Sequence, residues 1–156
     1  MGQKYINRAG NLELSAWVKG SPVAQKRHRH AKRGNATITY DPSSKEKEIF
    51  LWQVKDMEPK EPLEGPLRMR LYFKIQRPKS HFGTGRNSKT IKDGMPKYAK
   101  SRPDIDNYIK FVMDALGKGR FFKDDSQIVM LEAYKMYVPQ FDVGGPGTDI
   151  TIAKIG

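Results

Sequence analysis

The chain has 156 residues, and 29 Lys and Arg against 17 Asp and Glu leave it a formal net charge of +12 at pH 7. At 37% hydrophobic residues it is long enough for one domain with its own core. The absence of cysteine excludes disulfides and thiolate metal sites, and no apolar run approaches the ~20 residues that cross a bilayer. A basic excess of this size, with a sequence pI near 9.9, points to a polyanionic partner, since cationic side chains gain affinity by releasing counterions from phosphates. Nucleic acid is the first candidate and an anionic membrane surface the second. The opening "MGQKYINRAGNLEL" lacks the apolar segment of a secretion signal, and Ile6 stands where a myristoylation signal needs Ser or Thr. The expectation is a cytoplasmic protein with no membrane partner.

Residues 1–11 read as a flexible N-terminus. Leu12 to Val18, "LELSAWV", alternates apolar with polar residues as a half-buried strand does. The basic run "KGSPVAQKRHRHAKRGN" reads as a loop or hairpin tip before β character resumes at Ala36 to Tyr40. Asp41 as N-cap and Pro42 at the first helical position predict a helix from Pro42 to Met57, with Phe50, Val54 and Met57 on one face. "LRMRLYFKIQ" alternates Met69, Leu71, Phe73 and Ile75 against Arg68, Arg70, Tyr72 and Lys74, the clearest strand in the chain. Residues 77–103 then lack periodicity. They carry Arg77, Lys79, Arg86, Lys89, Lys92, Lys97, Lys100 and Arg102 against the single Asp93, so self-repulsion should keep this long loop loose until a polyanion orders it. A second helix is predicted from Asp106 to Leu116, burying Ile105, Ile109, Val112 and Leu116, with Gly117 or Gly119 at its C-terminal cap. Strands follow at Ile128 to Val138 and Asp149 to Ile155. The sum is an α+β fold, a mixed sheet with two main helices packed on one face, in a single domain spanning 1–156.

Chemistry concentrates in Ser101 to Val129, which holds five aspartates. Asp104 and Asp106 flank Ile105 at the entry to the second helix, where the apolar residue can anchor while both carboxylates face outward. If a strand end packs beside that helix start, Asp124 or Asp125 reaches the same cation. Mg²⁺ favours such carboxylate oxygens, with waters and phosphate esters completing its shell. Lys110, one turn after Asp106, is placed to stabilise charge on a reacting phosphate. Each residue also has a plain structural reading. Asp106 can cap the helix, "KDDSQ" can be an ordinary turn, Asp106 and Lys110 can be a surface pair, and Asp114 a solvated or ion-paired face residue. His28 and His30 sit among cations that would repel a metal, and His81 is isolated, so none of the three is assigned as a ligand. Arg27, Arg29, Lys32 and Arg33, with Lys79, Arg86, Lys89, Lys92, Lys97, Lys100 and Arg102, are the candidates for phosphate contacts.

Taken together, "RPDIDNYIK", "DAL" and "DDSQI" resemble the RusA family of Holliday junction resolvases, endodeoxyribonucleases of bacteria and their phages. The resemblance is close from Arg102 to Ile128 and loose over most of the rest. It implies a Mg²⁺-dependent homodimer that resolves four-way DNA junctions by paired nicks during recombination and repair, in a bacterial or phage setting. By position in the motif, Asp104, Asp106 and Asp125 correspond to the family's metal-binding catalytic carboxylates, and Lys110 to its catalytic lysine. The implied reaction is in-line attack of a metal-activated water on a phosphodiester. Between Asp124 and Asp125 strand alternation leaves room for only one, and the resemblance selects Asp125. The long segment from Arg77 to Lys100 and the residues before Leu12 depart from the family pattern and bear on how a junction is gripped. The readings that compete are a non-catalytic nucleic-acid-binding module and a metal-dependent nuclease for flaps, single strands or other branched DNA.

Overall fold

The computed structural model describes residues 2–6 and 11–156. In chain order these form β1 (Gly2–Ile6), β2 (Leu12–Lys19), β3 (Arg29–Arg33), β4 (Ala36–Tyr40), α1 (Ser44–Gln53), β5 (Leu67–Ile75), α2 (Ile105–Lys118), β6 (Ile128–Tyr137) and β7 (Gly147–Lys154). Five strands make one sheet in the order β1-β2-β7-β5-β6, antiparallel throughout except for the parallel pair β5–β6. The alternation read in β5 is realised. Leu67, Met69, Leu71 and Phe73 are fully buried, and with Leu14, Ile150 and Ile152 they form the sheet side of the core. Phe50 and Val54 from α1 and its exit, with Tyr108, Phe111, Val112, Ala115 and Leu116 of α2, cover that face. This is the expected α+β architecture. The opposite face is polar and tied by Arg70–Glu132 at 3.0 Å, Lys74–Asp142 at 2.7 Å and the stacked rings of Tyr72 and Tyr134.

Several boundaries differ from expectation for identifiable reasons. Residues 2–6, expected to be flexible, pair with β2 from Gly2↔Ala16 to Ile6↔Leu12, while 7–10 lie outside the described residues. Of the two readings open to the basic run, loop or hairpin tip, the structure has the hairpin. The run's second half is β3, joined to β4 by Gly34 and Asn35, where a φ of +62° at Gly34 gives the twist that a two-residue hairpin needs. The first helix starts at Ser44, not Pro42. Its N-cap is Ser43, and Asp41 instead accepts the Ser43 N–H at 2.9 Å. A short 3₁₀ turn, Lys55–Met57, replaces its last predicted turn.

The helix α2 ends in a Schellman arrangement, with Phe121 N–H donating to Leu116 C=O at 3.1 Å and Arg120 N–H to Gly117 C=O at 3.0 Å. Gly119 is the C-cap, one of the two glycines expected there. A Cβ on it would lie 2.4 Å from Leu51 Cδ2, so any other residue there would make the Leu51 side chain turn aside. The left-handed residue is Arg120, at φ 59°.

The segment 77–103 has no strand or α-helix, yet it is held to the body rather than left loose. Arg77 is buried and donates to Val138 C=O at 2.8 Å and Pro96 C=O at 3.1 Å. Gln140 donates to Lys89 C=O at 2.8 Å. Ala99 N–H donates to Lys135 C=O at 3.1 Å, and Tyr137 N–H to Lys97 C=O at 2.9 Å, so residues 97–99 cover the outer edge of the last part of β6. Hydrogen bonds to backbone carbonyls, donated by Arg77, Gln140 and two backbone N–H groups, thus hold the segment despite its exposed cations.

Candidate active site

The head of α2 is built by a chain that arrives extended and turns sharply. Asp104 is the N-cap, with φ −71° and ψ 150°, and Asp106 lies in the first turn. An aspartate at an N-cap ordinarily accepts an N–H of the first turn, but Asp104 makes no such side-chain bond here. Asp106 accepts only a long 3.4 Å bond from the neighbouring Asn107 amide. Both carboxylates are exposed. The capping role open to Asp106 therefore falls on neither side chain, and two hard oxygen donors stand at the positive end of a 14-residue helix. Lys110 follows one turn along, also exposed.

The surroundings of the head are cationic. The strand-like approach to β3 runs past it, with Gln25 N–H donating to Asn107 C=O at 2.9 Å, and an open cleft of about 570 Å³ lies between residues 21–27 and Pro103 and Asn107. Arg27 lines that cleft, and β3 with Arg29, Lys32 and Arg33 continues from it. From the other side Lys97, Lys100 and Arg102 lead into Asp104. Lys135 pins this approach by donating to Pro103 C=O at 2.8 Å. Arg27, Arg29, Lys32, Arg33, Lys79, Arg86, Lys89, Lys92, Lys97, Lys100 and Arg102 are all exposed. None of these eleven is in an ion pair among the described residues, whereas Arg70, Lys74 and Lys47 are.

Asp125 stands elsewhere. Residues Asp125–Gln127 form a 3₁₀ turn at the start of β6, so strand alternation does not extend back to them. What separates the two aspartates is capping. Asp124 accepts the Ser126 N–H at 2.8 Å while Gln127 Oε1 accepts the Asp124 N–H at 3.0 Å, a reciprocal capping box. Those bonds to Ser126 hold the Asp124 carboxyl below its usual range. Asp125 is left free of such bonds. Burial, then the nearby Asp114 and Asp124 charges, push its carboxyl up. Its Oδ1 lies 3.8 Å from where a Cβ on Gly117 would be, beside the last turn of α2. From Asp106 to Gly117 the helix rises about 16 Å. The expected meeting of strand start and helix start is therefore corrected: β6 begins beside the end of α2. Asp104, Asp106 and Lys110 share one end, Asp125 the other. Among the described residues no three acidic or histidine side chains in one protomer are grouped to hold a single ion.

At that far end sits a constellation the sequence reading did not single out. Lys47 of α1 is buried and donates to Asp41 at 2.7 Å and Asp114 at 3.2 Å. Burial pushes the Asp41 carboxyl up, but hydrogen bonds from Lys47, Ser43 N–H and Gln25 outweigh it and hold the group at about 2. Lys47 was legible in principle, because it precedes Phe50 and Val54 by three and seven residues and so lies on the apolar face of its helix. With His28, Lys118 and Asp125 these groups line a cleft of about 430 Å³.

A family model described as Endodeoxyribonuclease RusA matches residues 19–153, which take in both helices, β5, β6 and all but the last residue of β7. The chain belongs to the RusA family. It is an endodeoxyribonuclease of the Holliday junction resolvase class, a family of metal-dependent DNA hydrolases, so the reading as a non-catalytic binding module is set aside. It is 32% identical over 122 residues to the uncharacterized protein YqaN of Bacillus subtilis, an alignment covering 77% of this chain and 84% of that relative. It is also 50% identical over 40 residues to the crossover junction endodeoxyribonuclease rusA of Lactococcus phage r1t, covering 26% of this chain and 30% of the phage protein. No helix among the described residues is long and apolar enough to cross a membrane.

Proposed function

We propose that this RusA-family protein is a Mg²⁺-dependent homodimer that resolves four-way DNA junctions by paired nicks, serving recombination and repair in the cytoplasm of a bacterium or its phage-infected host. The observation that carries the reading is the head of α2, where two exposed carboxylates free of capping bonds stand one turn from Lys110 and between two sets of unpaired cations. Asp104 and Asp106 fit Mg²⁺, a hard ion held by one or two carboxylates with waters and substrate phosphate filling the rest of its shell. When bound, the ion supplies an acidic water as nucleophile and neutralises phosphate charge. The chain's own groups do the rest. Lys110 presents an ammonium to the charge that grows on the phosphate in the transition state. Arg27, Arg29, Lys32 and Arg33 on one flank, and Lys79 to Arg102 on the other, fix the DNA backbone. Asp125, about 16 Å along the helix from Asp106 within a protomer, completes the ligand set as the third carboxylate only across the dimer. A two-fold dimer presents two such heads to the two matching strands of a two-fold junction.

The test is a labelled synthetic four-way junction beside a linear duplex of the same sequence, with Mg²⁺ or with chelator. Symmetric nicks confined to the junction and dependent on Mg²⁺ are expected. Equal cleavage of linear duplex would overturn junction selectivity, preferential cleavage of flaps would reassign the substrate, and undiminished cleavage in chelator would remove the metal.

A further inference from the structure

Between the end of β6 and the start of β7 the chain makes a tip, residues 139–146, that carries the two most exposed large apolar side chains among the described residues. Phe141 is 91% exposed and Val143 is fully exposed. A lone exposed apolar residue is ordinary, but here the fold fixes the turn that presents the pair. Asp142, between them, is folded inward, where its carboxylate accepts Lys74 Nζ at 2.7 Å and Gly144 N–H at 2.8 Å. Lys74 Nζ in turn lies 4.7 Å from the centre of the Trp17 ring. A Cβ on Gly147 would lie 2.4 Å from that ring, so the chain entering β7 runs flat against the indole. Gly145, at φ +68°, makes the turn between these anchors. With Asp142 held in, Phe141 and Val143 on either side of it are held out.

The tip is also stitched to the basic segment. Gln140 Oε1 accepts Ile91 N–H at 2.5 Å and Gln140 Nε2 donates to Lys89 C=O at 2.8 Å, which brings the chain around Lys89 and Lys92 to the residue before Phe141. It follows β6, and Lys135 near the end of that strand donates to Pro103 C=O at 2.8 Å, so the tip and the head of α2 belong to the same end of the sheet. A rigid phenyl beside cations that hold phosphates matches one part of a nucleic acid, the flat face of a base. In linear duplex those faces are covered by the neighbouring pairs. At a branch point the stack is interrupted and a face is open. Two side chains are too little apolar area to seat a protein in a bilayer.

We propose that the tip is a base-stacking element, in which Phe141 packs on an unstacked base at the branch point of the DNA and Val143 closes over its edge. The inference rests on the proposed reading of branched DNA as the substrate. It adds to the phosphate contacts, which every duplex offers alike, an uncharged contact that only a branch offers. The tip therefore distinguishes branched from linear DNA, while the metal-binding head does the cutting.

Binding is measured in chelator on a synthetic four-way junction with 2-aminopurine at the branch, beside a linear duplex of the same sequence. Phe141→Ala removes a side chain with almost no folded-state contact, so unchanged circular dichroism and melting are expected. It should weaken junction binding about 10-fold or more, leave duplex binding within about 2-fold, and abolish the brightening of 2-aminopurine that the parent produces. Because no charge is lost, the slope of log affinity against log salt should stay at the parent value, whereas Lys89→Ala with Lys92→Ala should flatten it on both DNAs. Phe141→Trp should restore junction affinity, with indole fluorescence quenched by the junction and not by the duplex. Parent-like junction affinity and 2-aminopurine signal in Phe141→Ala would overturn the tip and leave the branched substrate standing. A parent that binds junction no better than duplex would remove the branched substrate and the stacking role with it. Loss in Phe141→Ala of sedimentation with phosphatidylserine vesicles, at equal junction binding, would reassign the tip to a membrane.

Discussion

The two ends of α2 hold carboxylates of one chemistry in opposite circumstances. At the tail, Asp41 and Asp114 share the buried ammonium of Lys47 and Asp124 is consumed in a capping box, with Asp125 the exception left open beside them. At the head, Asp104 and Asp106 are exposed, and neither makes the capping bond its position invites. Carboxylates whose bonding capacity is filled hold the fold together. Those left open, in a cationic setting that would readily have paired them, are available to a ligand. The comparison teaches that an acidic cluster in a basic chain has to be sorted by what each oxygen already accepts.

The sharpest break between the ends is kinetic. Asp106→Asn is predicted to reduce junction nicking at least 100-fold while shifting the stability by less than about 0.5 kcal/mol, because it removes a proposed metal ligand and, among the described residues, no folded-state bond beyond the long one from Asn107. Quantified single-turnover nicking and a denaturant titration on one preparation check both halves, and a large stability loss would undo the contrast. Lys110→Ala should likewise cut cleavage sharply with junction binding intact in a mobility-shift assay, and equal cleavage by mutant and parent would take Lys110 out of the site.

The tail should respond in stability. Lys47→Met leaves Asp41 and Asp114 without their shared cation and is expected to cost about 3 kcal/mol in urea unfolding. The same cluster sets an acid limb. Asp41 is held at about 2 against an ordinary 3.8, so its contribution is present above about pH 4 and is lost as pH falls towards 2. That loss is about 2 kcal/mol, read from melting temperature against pH and flattened in Asp41→Asn. A limb of equal depth in that variant would assign it to other groups. The smallest expected effect lies at the helix end, where Arg120 occupies a left-handed conformation. Arg120→Gly should raise stability by about 0.5–1 kcal/mol without altering nicking.

Much of this was legible in the chain. The alternation of Met69, Leu71 and Phe73 and the glycine C-cap of α2 follow from local pattern, and the structure keeps them; of the stripe expected on α2 it buries Val112 and Leu116, leaves Ile105 and Ile109 partly buried, and puts Tyr108, Phe111 and Ala115 in the core. β1 was missed because five residues, "GQKYI", form a strand only against β2, and a partner distant in sequence leaves no local signal. Lys47 was missed because a lysine in a run of charges looks solvated until its position relative to Phe50 is weighed. Strand alternation, expected to leave room for only one of Asp124 and Asp125, does not reach them; a 3₁₀ turn and a cap divide the pair.

The sequence by itself determined a basic α+β domain and the helix that carries Asp104, Asp106 and Lys110 on one end. Only the tertiary structure decided where Asp125 lies relative to that end. β5 and β6 are parallel neighbours, so the chain must return to the starting end of the sheet between them, and α2 makes the return. A helix that returns runs against the strands, and its last turn, not its first, adjoins the start of the next one. Strand direction within a sheet is fixed by pairing between residues some 60 positions apart in Leu67 and Ile128, which no local pattern in either segment encodes.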